Sequence, residues 1–182
     1  MFVNPDKIVA RLGLYEGMRV ADFGAGTGFY SKAAGARVGH TGKVYAIEAQ
    51  KDLVKNLEKD LIQRKISNID CIWGDIERAG GTKIADRSMD AVIISNVLSQ
   101  AEDKLGLIDE AKRVLKKGGK ILLIDWEDNP KSDLGQALSR TLGKDRIITS
   151  EKAKEFFVKR GFKFLENIEA SINHYGIIFK YE

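Results

Sequence analysis

Cysteine is nearly missing from this chain: Cys71 is the single one among 182 residues, so no intramolecular disulfide and no cysteine-based zinc cluster can form. Its setting, Ile69-Asp70-Cys71-Ile72-Trp73, reads as a small apolar residue buried in a strand. Long apolar runs are missing too. No stretch approaches the roughly 18 apolar residues that a membrane helix needs, which argues against membrane insertion. After Met1, Phe2-Val3-Asn4-Pro5-Asp6 has neither the basic start nor the apolar core of a secretory signal, so a cytoplasmic protein is expected. Internal repeats and low-complexity tracts are absent. With 43% hydrophobic and 31% charged residues, the composition is that of one globular domain over 1–182.

Charge is mildly positive, with a formal net of +4. It is uneven. Residues 131–163 hold nine basic side chains (Lys131, Arg140, Lys144, Arg146, Lys152, Lys154, Lys159, Arg160, Lys163) against four acidic ones (Asp133, Asp145, Glu151, Glu155). Such an excess suits a phosphate-bearing partner, although charged runs are usually solvated faces.

Asn4-Pro5-Asp6 combines a capping residue with proline at the first helical position, which predicts a helix over about 5–12 closed by Gly13. The pattern then alternates. Strands are expected at Met18–Phe23, Lys43–Ile47, Ile69–Trp73, Met89–Ser95 and Lys120–Asp125. Between them fall helices at Phe29–Arg37, at a segment whose buried face is marked by Leu53, Leu57 and Leu61, and at Asp103–Leu115. Near-continuous apolar strands separated by helices predict an α/β fold, a doubly wound, Rossmann-like sheet of seven strands, mostly parallel. The end breaks the alternation. After a helix at about Ser150–Arg160, strand candidates Lys163–Ser171 and Tyr175–Tyr181 are joined only by Ile172-Asn173-His174, a link that permits an antiparallel hairpin and nothing else. Residues between Trp126 and Thr149 are expected to hold a short helix at Leu134–Leu142, and so long a connection at this edge is often functional.

The segment Val20-Ala21-Asp22-Phe23-Gly24-Ala25-Gly26-Thr27-Gly28-Phe29-Tyr30 runs from a strand through alternating glycines into a helix, which brings backbone close to a ligand at the carboxyl edge of the sheet. Two nucleotide fingerprints are missing from it. The dinucleotide pattern needs glycine where Phe29 stands, and the phosphate loop needs a lysine that does not follow. Asp22 before the glycines would repel a pyrophosphate and attract an ammonium or sulfonium. Glu48 ends the next strand, where a carboxylate suits both ribose hydroxyls. Asp75, after the third strand, suits an adenine amino group, with Ile76 against the ring. Three acids in order beside G-x-G-x-G indicate a nucleoside cation such as S-adenosylmethionine.

With these residues the chain resembles the class I S-adenosylmethionine-dependent methyltransferases over nearly its full length. The resemblance implies that Asp22-Phe23-Gly24-Ala25-Gly26-Thr27-Gly28 wraps the methionine part of the cofactor, that Glu48 holds the ribose and that Asp75 meets the adenine. Asp90-Ala91-Val92-Ile93-Ile94-Ser95-Asn96 is similar to the family's fourth strand. Arg113 through Lys120 is similar to the helix and turn before the fifth, and Tyr175–Tyr181 to its reversed seventh strand. The arrangement looks most like the ubiquinone-biosynthesis-type branch, also described as type 11-like, whose members mostly modify small molecules.

Methyl transfer is an in-line displacement, in which orientation can contribute about 7 to 11 kcal/mol, so a dedicated base is not required. Acceptor-facing groups are expected after the fourth strand, at Asn96 and Gln100, and after the fifth, at Asp125 and Trp126; Asn96, like Tyr30 beyond the glycines, can instead support the cofactor. His174 in the hairpin could serve as a base or simply be a turn residue. No metal ligands are assigned. A DNA substrate is not expected: Ser95-Asn96-Val97-Leu98 stands where amino-methyltransferases of DNA bases carry [DN]-P-P-[YF], and no Pro-Cys nucleophile exists. The readings are therefore a methyltransferase for a small-molecule acceptor, an RNA or protein methyltransferase using 131–163, or a non-catalytic cofactor-binding subunit. In thermal unfolding, S-adenosylmethionine and its demethylated product should raise the midpoint by mass action, with NAD and ATP doing so much less; the reverse order would remove the family assignment.

Overall fold

The computed structural model describes residues 4–127, 147–171 and 173–182. Asn4 caps the first helix, α1 (Pro5–Ala10), through a bond from the Asp6 amide to its side chain. The chain then alternates through β1 (Arg19–Phe23), α2 (Phe29–Val38), β2 (Lys43–Glu48), α3 (Lys51–Gln63), β3 (Ile69–Trp73), β4 (Met89–Ser95), α4 (Lys104–Val114) and β5 (Leu115–Trp126). It closes with α5 (Ser150–Lys159), β6 (Phe162–Ser171) and β7 (His174–Tyr181). No helix among the described residues is long and apolar enough to cross a membrane.

The seven strands among the described residues form one sheet, in the order β3-β2-β1-β4-β5-β7-β6. The first five are mutually parallel, and β7 lies antiparallel between β5 and β6. Starting from β1, the chain moves outward to β3 and then returns to place β4 on the other side of β1. That reversal opens a crevice at the carboxyl ends of the central strands, where ligands bind in such sheets. The register aligns the strand ends: Phe23 pairs with Ile47 and Ile94, Glu48 with Trp73, and Ser95 with Ile124.

The sheet is buried on both faces, as its near-continuous apolar strands require. On one side Leu107, Ile108, Val114 and Phe157 pack against Ile94, Leu123 and Phe179; on the other Val9, Leu12, Ala34 and Leu57 pack against Val20, Val44 and Ile93. Several details depart from expectation. In α3 the buried residues are Val54, Leu57 and Leu61, while Leu53 is half-buried and turns to the crevice. Cys71 is half-buried, and burial, with Glu58 and Asp70 nearby, pushes its thiol up to about 11. β5 begins at Leu115, before the paired glycines, and β7 begins at His174, one residue earlier than expected. The helix expected at 134–142 lies outside the described residues.

One buried carboxylate organises the loop after β3. Glu110 of α4 is 1% exposed. It accepts the Gly80 amide at 2.9 Å, the Thr82 amide at 3.2 Å, the Thr82 hydroxyl at 2.5 Å, and Arg113 Nε and Nη2 at 2.7 Å each. Burial opposes its charge, but the bonds from Arg113, Thr82 and the two amides win, and its pKa falls below the usual value. Because the folded form favours the ionised state, this stabilisation is present above the ordinary carboxylate value of 4.5 and fades as pH drops through the lower folded value. At pH 7, Glu110→Gln should cost about 3 kcal/mol by leaving Arg113 and the amides poorly paired, lowering the thermal midpoint by roughly 6 to 12 °C. The gap from wild type should narrow below pH 4.

Candidate functional site

A cleft of about 350 Å³ opens at the carboxyl ends of β1, β2, β3 and β4. That is within the range of small-molecule sites. Its first wall is the glycine turn. Gly26 has φ +52°, a left-handed backbone, and a Cβ there would meet nothing within 4 Å. The turn thus leaves open space where a side chain would stand. Gly28 differs: at φ +74° its added Cβ would lie 2.4 Å from Leu57 Cδ1, so this glycine serves packing. The turn is held to β2, since the Gly24 and Ala25 amides both donate to the Ile47 carbonyl at 2.9 Å.

Glu48 forms the second wall. Its Oε2 accepts the Gly26 amide at 3.1 Å and its Oε1 the Gln50 amide at 2.9 Å. Each oxygen keeps a further acceptor position, so the carboxylate is oriented without being exhausted. Asp75, which accepts the Glu77 amide at 2.9 Å, and the buried Ile76 supply a polar and an apolar group after β3. Opposite stand Asn96, Val97 and Gln100 after β4. Asn96 has φ +56°, a conformation that asparagine tolerates better than most residues, and its Oδ1 is buried without a hydrogen-bond partner. The Gln100 side-chain amide closes this turn on the Asn96 carbonyl at 2.5 Å.

Gly24, Gly26, Glu48, Asp75, Ile76, Asn96 and Gln100 therefore share one cleft. The other candidates stand elsewhere. Asp22 is buried beneath the turn, where its Oδ2 accepts the Ser31 hydroxyl at 2.5 Å. Burial raises its pKa to about 6, opposed by the bonds from Ser31 and assisted by Glu48. It anchors α2 and does not form the cleft wall that its position before the glycines suggested. Ala25 and Gly28 belong to the turn behind that wall, and Tyr30 is half-buried, its pKa raised by burial.

Asp125 needs a correction. It is 1% exposed, with Oδ1 taken by the Ser99 hydroxyl at 2.7 Å and the Trp126 amide at 2.7 Å, and Oδ2 by the Ser99 amide at 2.9 Å. A carboxylate so enclosed does not face an acceptor; it ties the end of β5 to the loop carrying Asn96. Trp126 lies beyond the cleft, half-buried, with its ring centroid 4.0 Å from that of His174. Burial lowers the pKa of His174, whose Nδ1 is 2.8 Å from the Ser171 hydroxyl.

Sequence reasoning missed Gln50, Leu53, Glu77 and Val97, all of which line the cleft. For Gln50 the signal was its position two residues beyond Glu48, where a backbone amide can turn back onto the carboxylate. For Val97 it was its place immediately after Asn96.

A doubly wound sheet with a reversed last strand, a glycine turn and acids at successive strand ends defines a nucleoside-binding α/β fold of the methyltransferase type. The family model described as "Methyltransferase domain" matches residues 14–161, and the chain belongs to that family. It is 31% identical over 115 residues to a protein of Sulfurisphaera tokodaii described as a probable cobalt-precorrin-6B C(15)-methyltransferase (decarboxylating), the match covering 63% of this chain and 57% of that one. It is also 31% identical over 116 residues to a ubiquinone/menaquinone biosynthesis C-methyltransferase of Hydrogenovibrio crunogenus, covering 63% of this chain and 44% of the relative. The chain thus spans about half the length of these relatives. Among solved structures, an S-adenosylmethionine-dependent methyltransferase of Aquifex aeolicus superposes with a TM-score of 0.85 over 100% of this chain and 91% of its own, at 22% identity, a likeness of fold.

Gly26 gives the sharpest test of the cleft. Gly26→Val should fold with a loss of about 1 to 2 kcal/mol from its left-handed backbone and should show no measurable S-adenosylhomocysteine binding by titration calorimetry. Unchanged affinity in the folded variant would move the ligand away from the turn.

Proposed function

We propose that this protein is an S-adenosylmethionine-dependent methyltransferase that acts on a small-molecule acceptor in the cytoplasm. The observation that carries the reading is the Glu48 carboxylate, fixed by the Gly26 and Gln50 amides in a cleft whose next wall is Asp75 and Ile76. An oriented carboxylate with free acceptor positions suits paired ribose hydroxyls. The open space at Gly26 and the unpartnered Asn96 Oδ1 favour a ligand that runs along the glycine turn and offers a donor on the β4 side. Asp22 and Glu48 place negative charge near the turn, which disfavours a pyrophosphate there.

When bound, S-adenosylmethionine supplies a methyl group activated by its sulfonium. The chain's part is to hold and orient. Gly26 admits the ligand, Glu48 takes the ribose, and Asp75 and Ile76 take the adenine. Asn96, after β4, faces the acceptor, with Asp125 fixing the loop that carries it through Ser99. Alignment accounts for much of the acceleration in a displacement of this kind.

The two relatives, one named for methylation of a cobalt-precorrin and the other for ubiquinone/menaquinone biosynthesis, support a small acceptor. The basic run offers less to RNA or an acidic protein than its composition suggests. In its described part Lys159 pairs with Glu155, Arg160 with Asp109, and Lys163 with Glu182.

With methyl-labelled cofactor and a cell extract, label should enter the small-molecule fraction; label in RNA, with steep salt dependence, would favour the RNA reading instead. A charged acceptor's hydrogen bond contributes about 1.5 to 3 kcal/mol. After partial compensation by water, Glu48→Ala should lose roughly 2 to 3 kcal/mol, or about 30-fold to 150-fold in cofactor affinity. A 2′,3′-dideoxy analogue should lose little on the same substitution. Equal losses for both ligands would show that Glu48 does not hold the ribose.

A further inference from the structure

Trp73 is an unusual residue to find at the end of an edge strand: it is 49% exposed, yet its indole N–H and ring are held by residues of the two connections that flank the cleft. Its indole Nε1 donates to the Ala49 carbonyl at 2.9 Å, in the turn between Glu48 and Gln50. Lys51, the first residue of α3, sets its ammonium 4.1 Å from the ring centroid. On the other side of the connection, Lys83 places its ammonium 5.2 Å from the same centroid and donates to the Trp73 carbonyl at 2.7 Å. Lys83 does this from φ +59°, a left-handed backbone that is unfavourable for lysine. Its loop is the one whose Gly81 carbonyl accepts the Asp75 amide at 3.1 Å.

One exposed side chain thus joins the 48–51 turn, which orients the Glu48 carboxylate, to the 75–83 loop, which carries Asp75 and Ile76. A surface tryptophan loses rotamer freedom when it is held in this way, and here the contacts that hold it, one neutral hydrogen bond and two cation–π pairs, are of the order that can offset such a loss. We infer that Trp73 is a positioning residue: a clasp outside the cleft that fixes the spacing of its ribose and adenine walls, and through them the affinity for the adenosine part of the ligand. Its ligand rests on the reading under Proposed function. Because the ring lies at the surface, its removal opens no core cavity, so a purely structural role predicts little change in binding by a folded variant.

Trp73→Phe keeps an aromatic plate for Lys51 and Lys83 but removes the N–H. With S-adenosylhomocysteine as the probe, calorimetry should show binding about fivefold weaker, equivalent to about 1 kcal/mol, and weaker again for Trp73→Ala. The loss should pass through Glu48: in a Glu48→Gln background, Trp73→Phe should cost less than about twofold. Amide exchange of ligand-free protein should accelerate at Gln50 and Gly26, the two donors to Glu48, in the Phe variant. Unchanged affinity in folded Trp73→Phe, or the same fivefold loss in both backgrounds, would overturn the clasp. If wild-type protein binds no S-adenosylhomocysteine, the cofactor reading falls by itself, and exchange then decides the clasp: faster amides at Gln50 and Gly26 sustain it, unchanged ones overturn it.

Discussion

The carboxylate of Glu48 is the tie on which the site depends. It ends β2, and its two oxygens reach in different directions, one to the amide of Gly26 in the turn after β1 and the other to the amide of Gln50 just before α3. The glycine turn has few side chains with which to hold itself. Its conformation is set from outside, by the Ile47 carbonyl receiving two amides and by Glu48 receiving a third. Without that anchoring, a run of left-handed glycines would be free to sample many conformations, and its open space would not be a preformed cradle. The same carboxylate that suits a ligand therefore also builds the turn along which the ligand runs.

Glu48 could not do this from a different topology. Parallel pairing of β1 with β2, in a register that sets Phe23 against Ile47, ends both strands at one level, so the residue after Ile47 lies beside the residues after Phe23. The return of the chain to β4 places Asn96 across the gap, and its left-handed backbone is held by a bond from its amide to the Ile124 carbonyl of β5 and by Gln100 on its own carbonyl. The crevice is the consequence of strand order, and its chemistry is the consequence of which residues lie one step past each strand.

Much of this was legible in the chain. Apolar runs separated by amphipathic segments were enough for the parallel core, because strands covered on both faces leave no room for alternation, and the three-residue link before Tyr175 was enough for the reversed hairpin. Strand ends were legible to within a residue or two, so Gly24, Gly26, Glu48, Asp75, Ile76, Asn96 and Gln100 could be assigned to a common edge. Depth was not. Asp22 and Glu48 both stand near strand ends, but the register sets Asp22 level with Ala46, two residues short of Glu48 on the same face of the sheet, so one carboxylate lies under the turn and the other reaches the cleft. Val54 takes the buried place expected of Leu53 because helical spacing defines a stripe, and its edge residue can turn either to the core or to a neighbouring crevice.

Asp22, Glu110 and Asp125 show how the hidden acids differ from the visible ones. All three are buried, and each is matched by donors: Ser31 of α2 for Asp22, the 80–82 turn and Arg113 of α4 for Glu110, Ser99 and the Trp126 amide for Asp125. An uncompensated carboxylate at such depth would be strongly unfavourable, so its burial is itself evidence that its acceptor positions are in use. The acids that remain available to a ligand are those that line the cleft with acceptor positions to spare, Glu48, Asp75 and Glu77. In a sheet of this kind the deeper carboxylates shape the loops and the shallower ones meet what the loops enclose. A strand-end acid is thus better judged by the donors already bound to it than by its position in the chain.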